Sequence, residues 1–382
     1  MEDYQMFRKI TALLLSVFLL LPACVMAEDE LDIEEVIDLT EEESSTYQLD
    51  SNGNTIITIT CTGDFTIGGD NYHKKGKKFY SELEKNENNI NFTMANVKDI
   101  FKSDTMTLVN FEGTFTETKY VPDNKKGNSF LFNISPSCVK VLTDNSIEAV
   151  SLENNHVMDH GQEGYEDTKD TLRNAGVVYS NSEEIGIFYV NDIQIAMLSY
   201  LCIDRYDKPV GGYDNLYEKV AADIAATKEK YPIVIVSFHW GREKDYSPTQ
   251  NQIKMGRLAV DSGADLVIGH HSHRINPIEQ YNGVYICYSL GNFCFSGNDK
   301  PDDMNSYIFQ TRFLVDKNTQ EASNLGFRII PIRITSIKDR NNYTPTPITD
   351  DMKKEGIINT LKDNGRKYLD YAVSDYPLDW KD

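Results

Sequence analysis

The chain has 382 residues, 38 of them basic and 59 acidic, which gives a formal net charge of −21 at neutral pH. Hydrophobic residues make up 40% and aromatic residues 11%, enough for a substantial core, and this excludes a wholly disordered protein. An acidic field of this size repels nucleic acid and anionic membranes, so neither is an expected partner. It also repels phosphorylated substrates, which would need bound metal cations to approach.

The first 27 residues have the pattern of an export signal. Arg8 and Lys9 precede an apolar run, Ile10–Leu21, that is short for a membrane span. Two kinds of processing remain open. Cleavage after Ala27 would release the protein, whereas a lipobox-like segment ending at Cys24 would anchor it by lipid, its one expected link to a membrane. Both predict an extracytoplasmic protein, secreted or held on the outer face of the cell membrane.

The next segment, residues 28–50, is predicted to be an acidic linker. Ten acidic residues and no basic one fall between positions 28 and 43, a composition typical of a solvated tether. The folded domain is predicted over residues 51–343. Residues 344–382 form a C-terminal extension with a helix predicted over Asp350–Tyr371, and whether it packs on the domain stays open.

Within the domain, strand-like apolar stretches alternate with helical ones. Strands are predicted at 55–61, 107–111, 147–152, 193–201, 233–238, 265–268, 308–315 and 327–334, and helices at 92–102, 136–143, 164–174, 216–230 and 249–261. Asn282-Gly283, between strands at 277–281 and 284–290, predicts a hairpin. The alternation predicts an α/β fold with a largely parallel sheet covered by helices on both faces, and the late strands add antiparallel pairs.

Polar side chains come directly after several of these strands: Asp64, Glu112, His156, His239 and the cluster His270–His273. In open α/β sheets, sites form beyond the carboxyl ends of strands. Carboxylate oxygens bind hard cations, and imidazoles suit Mn, Fe or Zn, so the pattern predicts a pocket for one or two divalent metal ions. His271 and His273, two apart in an extended chain, would point to the same side. Taken singly, Asp64 could be a turn former and His239 a packed histidine beneath Trp240.

Six short segments resemble one known family. They are Thr62-Gly63-Asp64, Asn110-Phe111-Glu112-Gly113, Asn154-Asn155-His156-Val157-Met158-Asp159-His160-Gly161, His239-Trp240-Gly241-Arg242-Glu243, Gly269-His270-His271-Ser272-His273 and Tyr288-Ser289-Leu290-Gly291-Asn292-Phe293. In this order they resemble the CapA family, associated with poly-γ-glutamate capsule synthesis, over roughly residues 55–340. That family has a fold similar to calcineurin-like metallophosphoesterases, which implies layered sheets of parallel and antiparallel strands with flanking helices.

The resemblance also implies roles for individual residues. The metal ligands would be Asp64, Glu112, Asn155, His239, His271 and His273. His156 would be the acid that protonates a leaving group. Positions behind the ligands or on the substrate side would be Asn110, Asn154, Asp159, Trp240, Glu243, His270 and Asn292. Phosphoesterases of this fold usually have Asp-x-His at the first motif, whereas this chain has Asp64-Phe65-Thr66, so one metal site is expected to be weaker, differently liganded or empty.

The leading hypothesis is an extracytoplasmic protein of capsule biosynthesis or export with a metal-dependent phosphoesterase site. Its expected partners are capsule-synthesis membrane proteins or the anionic polymer itself. A non-catalytic assembly partner of a capsule-export complex, and a secreted metallophosphatase unrelated to capsule, remain as alternatives.

Overall fold

The structure is a computed structural model and describes residues 47–69, 77–126, 130–205, 208–209 and 213–380. The predicted export signal and residues 28–46 of the predicted linker lie outside the described residues. At the end of that linker, Gln48–Leu49 (β1) pairs antiparallel with the first long strand of the domain. Among the described residues, no helix has both the length and the apolar character needed to cross a membrane.

The first sheet contains nine of the described strands. Its parallel strands are β2 (Thr55–Thr66), β3 (Met106–Phe111), β6 (Ala149–Ser151), β7 (Val178–Ser180) and β15 (Asn292–Phe295). Its antiparallel strands are β1, β16 (Asn305–Val315), β17 (Ala322–Arg333) and β18 (Thr346–Pro347). Because β2, β3 and β6 run in the same direction, the residues at their carboxyl ends meet at one edge of the sheet.

The second sheet contains seven of the described strands. Its parallel strands are β9 (Ile193–Arg205), β11 (Ile233–Gly241), β12 (Leu266–His270) and β14 (Val284–Cys287), and its antiparallel strands are β8 (Gly186–Val190), β10 (Lys208–Pro209) and β13 (Ile278–Tyr281). The predicted hairpin is confirmed: Asn282 and Gly283, with φ of 48° and 86°, join β13 to β14. Two positive φ values in a two-residue loop match the twist of the paired strands.

Helices and a small third sheet complete the chain. The helices are α1 (Lys77–Lys85), α2 (Lys98–Phe101), α3 (Lys140–Thr143), α4 (Gly161–Asn174), α5 (Tyr213–Lys228), α6 (Gln250–Asp261) and α7 (Asp351–Tyr368), with 3₁₀ turns at Ile90–Met94 and Pro136–Val139. The small sheet pairs β4 (Thr114–Phe115) with β5 (Asn133–Ile134). The single helix expected over 92–102 is wrong, because Val97 has a non-helical φ of −127° that separates a 3₁₀ turn from α2.

The two large sheets pack against each other through their inner faces. Ile57 and Leu108 of the first sheet and Ile195 and Ile235 of the second belong to one buried apolar cluster. Each outer face is covered by its own set of helices, α1–α4 on the first sheet and α5–α6 on the second. The layered α/β fold class with mixed strands is therefore confirmed. The expectation of a single sheet with helices on both faces is wrong, since α1–α6 cover the outer faces and the inner faces of the two sheets pack on each other.

The C-terminal extension packs on the domain. Ile357 and Leu361 of α7, together with Tyr376, belong to the cluster between the sheets. The hydroxyl oxygen of Tyr376 accepts a hydrogen bond from the backbone N–H of Ile278 at 3.1 Å. Burial of these side chains closes one side of the sandwich.

Candidate metal centre

Polar side chains from both sheets converge where the parallel strands end. Asp64 of β2 and Asn110 of β3 are register partners in the first sheet, and His239 of β11 and His270 of β12 are register partners in the second. Register partners on adjacent strands project to the same face. With Glu112, which directly follows β3, these side chains are at most 1% exposed. The predicted convergence of strand-end residues is therefore present in the structure.

Gly63 allows β2 to lie close to the segment that enters β15. A Cβ atom at Gly63 would lie 2.1 Å from the carbonyl oxygen of Gly291, which no side chain can tolerate. That same carbonyl accepts the backbone N–H of Asp64 at 2.9 Å. The glycine before Asp64 thus fixes the position at which its carboxylate enters the pocket.

Asp64, Glu112 and His273 form the tightest group of candidate ligands, with donor atoms within 4.8 Å of one another. Asp64 Oδ1 accepts a hydrogen bond from Asn110 Nδ2 at 2.9 Å. His273 Nδ1 lies 2.9 Å from Asp64 Oδ2 and also 2.9 Å from Asn292 Oδ1. The hydrogen-bond geometry pairs this nitrogen with Asn292, and Asp64 Oδ2 has no hydrogen-bond partner among the described residues. Asn292 therefore orients the His273 ring beside Asp64.

The charges in this group are strongly coupled. Burial alone would raise the pKa of Asp64, but the neighbouring His270 and His273 hold it well below its usual value. Burial likewise opposes the charge on His273, but the neighbouring carboxylates of Glu112 and Asp64 raise its pKa to about 9. The Asp64 side of the pocket thus carries an anionic carboxylate next to a cationic imidazole.

Glu112 leaves one oxygen open toward the pocket. Its Oε2 accepts a hydrogen bond from Thr66 Oγ1 at 3.3 Å, while Oε1 lies 3.8 Å from His156 Nε2 and 3.7 Å from His239 Nε2. Burial raises the pKa of Glu112 to about 7. The negative charge of Asp64 adds to this rise, and the positive charge of His273 opposes it. The carboxylate is thus destabilised as an anion until a cation compensates it.

His239 and His271 are neutral imidazoles that face each other. His271 Nδ1 lies 3.0 Å from His239 Nε2. Burial lowers the pKa of His239 well below its usual value and that of His271 to about 3. Neutral imidazole is the form that ligates transition metals.

The chain is not extended through the histidine cluster. His271 and His273 have positive φ values of 87° and 53°, in a region that non-glycine residues rarely adopt. The expectation that both project from an extended segment is therefore wrong, although both rings do face the pocket. Strained backbone of this kind persists where surrounding contacts fix it, often at functional sites.

His156 is held by a carboxylate behind it. Its Nδ1 lies 2.7 Å from Asp159 Oδ2, and its backbone N–H donates to Asn154 Oδ1 at 3.0 Å. Asn154 in turn donates to the carbonyl of Phe111 at 2.9 Å. Burial would lower the pKa of His156, but the charge and hydrogen bond of Asp159 raise it. The Nε2 edge of a readily protonated imidazole is thus directed toward Glu112.

Lys125 was not predicted from the sequence. It lies in the irregular excursion near 116–130, and its Nζ donates to Asp159 Oδ1 at 2.7 Å and to the carbonyl of Asn155 at 2.8 Å. The backbone N–H of Phe132 adds a third donor to Asp159, at 2.9 Å. A loop has no periodicity that would mark one of its lysines as reaching the site, so no sequence signal identified this residue.

Two predicted residues lie away from the centre of the pocket. Trp240 is completely buried in the outer apolar layer of the second sheet, stacks on Phe238 at 4.5 Å and donates to the carbonyl of Tyr288 at 2.9 Å. It projects to the opposite face of β11 from His239, so it is a packing residue rather than a substrate-side one. Glu243 is exposed, and its charge contributes to the raised pKa of His273.

The pocket has buried donor atoms that fit a metal ion. Within the described part of the chain, the atoms without a hydrogen-bond partner include Asp64 Oδ2, Glu112 Oε1, Asn155 Oδ1 and both ring nitrogens of His270. Leaving a buried polar group unpaired costs about 1–3 kcal/mol, and native structures rarely do so. Asp64, Glu112 and His270 lie together, so their unpaired atoms fit a bound cation. Oxygen and imidazole donors together suit Mn, Fe or Zn.

Two helix-covered sheets and a carboxylate–imidazole pocket at their strand ends define a layered α/β protein with a candidate metal centre. The sequence profile of the bacterial capsule synthesis protein family PGA_cap matches residues 58–297. The PGA biosynthesis protein CapA of Bacillus subtilis (strain 168) is 30% identical over 322 residues, which cover 80% of this chain and 78% of that protein. The capsule biosynthesis protein CapA of Bacillus anthracis is 23% identical over 85% of this chain and 77% of that protein.

This chain belongs to the bacterial capsule synthesis family PGA_cap, as the resemblance of its motifs predicted. Among solved structures, the calcineurin-like phosphoesterase YfkN from Bacillus subtilis is similar with a TM-score of 0.42 and 15% identity, covering 82% of this chain and 98% of that one.

Proposed function

We propose that this protein acts outside the cytoplasmic membrane in the synthesis or export of an anionic capsule polymer, and that it does so as a metal-dependent phosphoesterase. Family membership and the names of its relatives support the role in capsule biosynthesis. The observation that carries the enzymatic part is the pair of unpaired buried acceptors on Asp64 and Glu112, beside the neutral imidazoles of His239 and His271.

The donor set divides into two groups that share Glu112. Asp64, Glu112 and His273 would hold one divalent cation, with release of the His273 ring proton on binding. Glu112, Asn155, His239 and His271 would hold a second. Bound cations would supply the positive charge that holds and polarises a phosphoester in an otherwise acidic protein. Manganese, iron and zinc are the expected metals.

His156 would be the general acid. Asp159 holds its Nδ1 at 2.7 Å and raises its pKa, so that the Nε2 edge can carry a proton into the pocket. A proton given from Nε2 to the leaving oxygen would prevent the build-up of an alkoxide. Lys125 and the N–H of Phe132 hold Asp159 in place, and Asp159 in turn fixes the orientation of the ring.

Metal analysis combined with hydrolysis of a generic phosphodiester, bis(p-nitrophenyl) phosphate, tests the enzymatic proposal. The purified full chain should contain Mn, Fe or Zn and hydrolyse the diester, His271→Ala should lose metal, and His156→Ala should keep metal but lose roughly 100-fold or more in rate. His160→Asn is the matched control, because His160 lies next to this segment but its Nδ1 contacts the carbonyl of Tyr120 rather than the pocket. A wild-type protein without metal or hydrolysis would refute the enzymatic proposal.

A non-catalytic role in a capsule-export complex is the second candidate. Thr66 favours it, because this side chain stands where related phosphoesterases have a histidine ligand and donates to Glu112 instead. Under this alternative the protein would bind the polymer or its membrane partners with the same affinity after His156→Ala. Loss of capsule in cells carrying His156→Ala, with normal protein levels, would decide for catalysis.

The proposed location rests on the pattern of residues 1–27. Mass spectrometry of the mature N-terminus distinguishes the two forms of processing. A chain that begins at Glu28 would indicate cleavage and secretion, whereas a lipid-modified Cys24 would indicate anchoring. A full-length cytoplasmic chain would contradict the proposed location.

A further inference from the structure

His270 is a buried imidazole for which the fold supplies no hydrogen bond. It is 1% exposed, and within the described residues neither Nδ1 nor Nε2 has a hydrogen-bond partner. Nearly all buried polar side-chain atoms in folded proteins are paired. A core histidine that is purely structural would normally donate from one ring nitrogen, as His160 does toward the carbonyl of Tyr120.

The position of His270 directs its ring at the Asp64 side of the pocket. It is the last residue of β12 and the register partner of His239, so both rings project toward the first sheet. Its Nδ1 lies 3.6 Å from Asp64 Oδ1. This distance is too long for a hydrogen bond but leaves space for an ion bound to both atoms.

The following histidine is directed elsewhere. The chain turns sharply at His271, with φ of 87°, and carries that ring to His239 instead. From β2, Asp64 is the side chain that can bind an ion here. Thr66 lies on the same face two residues later, but its hydroxyl donates to Glu112 Oε2. His270 is therefore a donor from the second sheet that lies beside Asp64 and has no hydrogen-bond partner in the described part of the chain.

We propose that His270 is a ligand of the cation held by Asp64, Glu112 and His273. It would supply the imidazole that β2 lacks, so that this metal site is complete, with a ligand set different from that of related phosphoesterases. Imidazole nitrogen beside carboxylate oxygen is a usual donor set for Mn, Fe and Zn. The inference rests on the proposed metal centre.

Manganese titration of the chelator-treated full chain tests the assignment. His270→Ala should remove one class of Mn²⁺ site or weaken it by at least ~10-fold, and imidazole added to this variant should restore part of the affinity. Pulsed electron paramagnetic resonance should show one fewer coupled ¹⁴N nucleus in His270→Gln than in the wild type. Asn155→Ala should instead weaken the other site and leave the His270 nitrogen signal in place.

Stability of the metal-free protein separates ligation from packing. Because the ring has no hydrogen bond to lose, His270→Gln should unfold at the same urea concentration as the wild type without metal, and at a lower one with saturating Mn²⁺. Unchanged Mn²⁺ affinity and nitrogen coupling in both variants would overturn the assignment while the metal centre stands. A wild-type chain that binds no Mn²⁺, Fe²⁺ or Zn²⁺ would overturn both.

Discussion

Two glutamates in the described chain are at most 1% exposed, and their surroundings differ. Both oxygens of Glu279 in β13 are engaged: Arg257 Nη2 donates to Oε1 at 2.6 Å, and the hydroxyl of Tyr288 donates to Oε2 at 2.6 Å. Glu112 has one protein donor, the hydroxyl of Thr66, and its Oε1 has none. The first carboxylate is a complete structural ion pair, and the second keeps one oxygen without a hydrogen-bond donor from the described residues.

Burial of an acid is therefore not by itself a sign of function. Glu279 is as deeply buried as Glu112, but Arg257 and Tyr288 donate hydrogen bonds to its two oxygens. At Glu112 the open oxygen faces imidazoles, and burial raises its pKa to about 7. Substitutions at the two positions should therefore affect different properties of the protein.

The largest expected effect is on metal binding by Glu112→Gln. A neutral amide cannot compensate two cations, so the affinity for Mn²⁺ should fall by more than ~100-fold. The metal-free protein should keep its stability or gain some, because an open buried carboxylate is removed. Isothermal titration measures the affinity for Mn²⁺, and urea unfolding measures the stability of the metal-free protein. Glu279→Gln is the matched control and should bind Mn²⁺ normally; equal losses in both variants would mean that the two carboxylates do not differ in this way.

Glu279→Gln should have the next largest effect, and it should act on stability. It leaves Arg257 without its carboxylate, and breaking such a pair should lower the free energy of unfolding by about 2–3 kcal/mol, less than for a fully buried pair because Arg257 is 23% exposed. Urea unfolding with and without metal measures this loss in the free energy of unfolding. An unchanged midpoint would mean that Glu279 contributes as little as a surface ion pair.

Lys125→Met should reduce catalysis by ~10–100-fold without reducing metal content. Asp159 would lose the ammonium group of Lys125, which lies 2.7 Å from its Oδ1. The ring of His156 would then lose its fixed orientation, because Asp159 holds it. Steady-state hydrolysis measures the catalytic rate, and metal analysis measures the metal content. Lys126→Met is the matched control, because that neighbouring lysine is 67% exposed and pairs with Asp123 at the surface. If both variants lose the same activity, the loop matters as a whole and Lys125 has no special part.

The last effect concerns Asp104, a buried acid two residues before β3, at the opposite end of that strand from the pocket. Burial, with a contribution from Glu148, raises its pKa to about 8. Since the folded pKa lies above the unfolded value, its contribution to stability is present at low pH and is lost as the pH rises from about 4 to 8. Asp104→Asn should match the wild type near pH 4 and unfold at higher urea near pH 8. The same difference at both pH values would contradict the raised pKa.

The sequence predicted the site better than the arrangement of its sheets. Asp64, Glu112 and His239 could be recognised because a polar residue directly after an apolar strand lies at the edge of a sheet, where ligands bind. The split into two sheets could not, because a strand such as β9 presents apolar residues on both faces whether it packs on a helix or on another sheet. Trp240, which the family resemblance placed behind the ligands or on the substrate side, packs in the outer apolar layer because adjacent residues of a strand face opposite layers.

Because Asp64 and Glu112 extend from the first sheet and His239 and His271 from the second, any ion bound among them would be a cross-link between the two halves of the sandwich. Occupancy of the pocket would then add to the cohesion of the whole fold, by about 2.7 kcal/mol when the free metal is 100 times its dissociation constant. Chelators should lower the melting temperature of the entire domain, so thermal melting reports on metal supply even where no substrate is known.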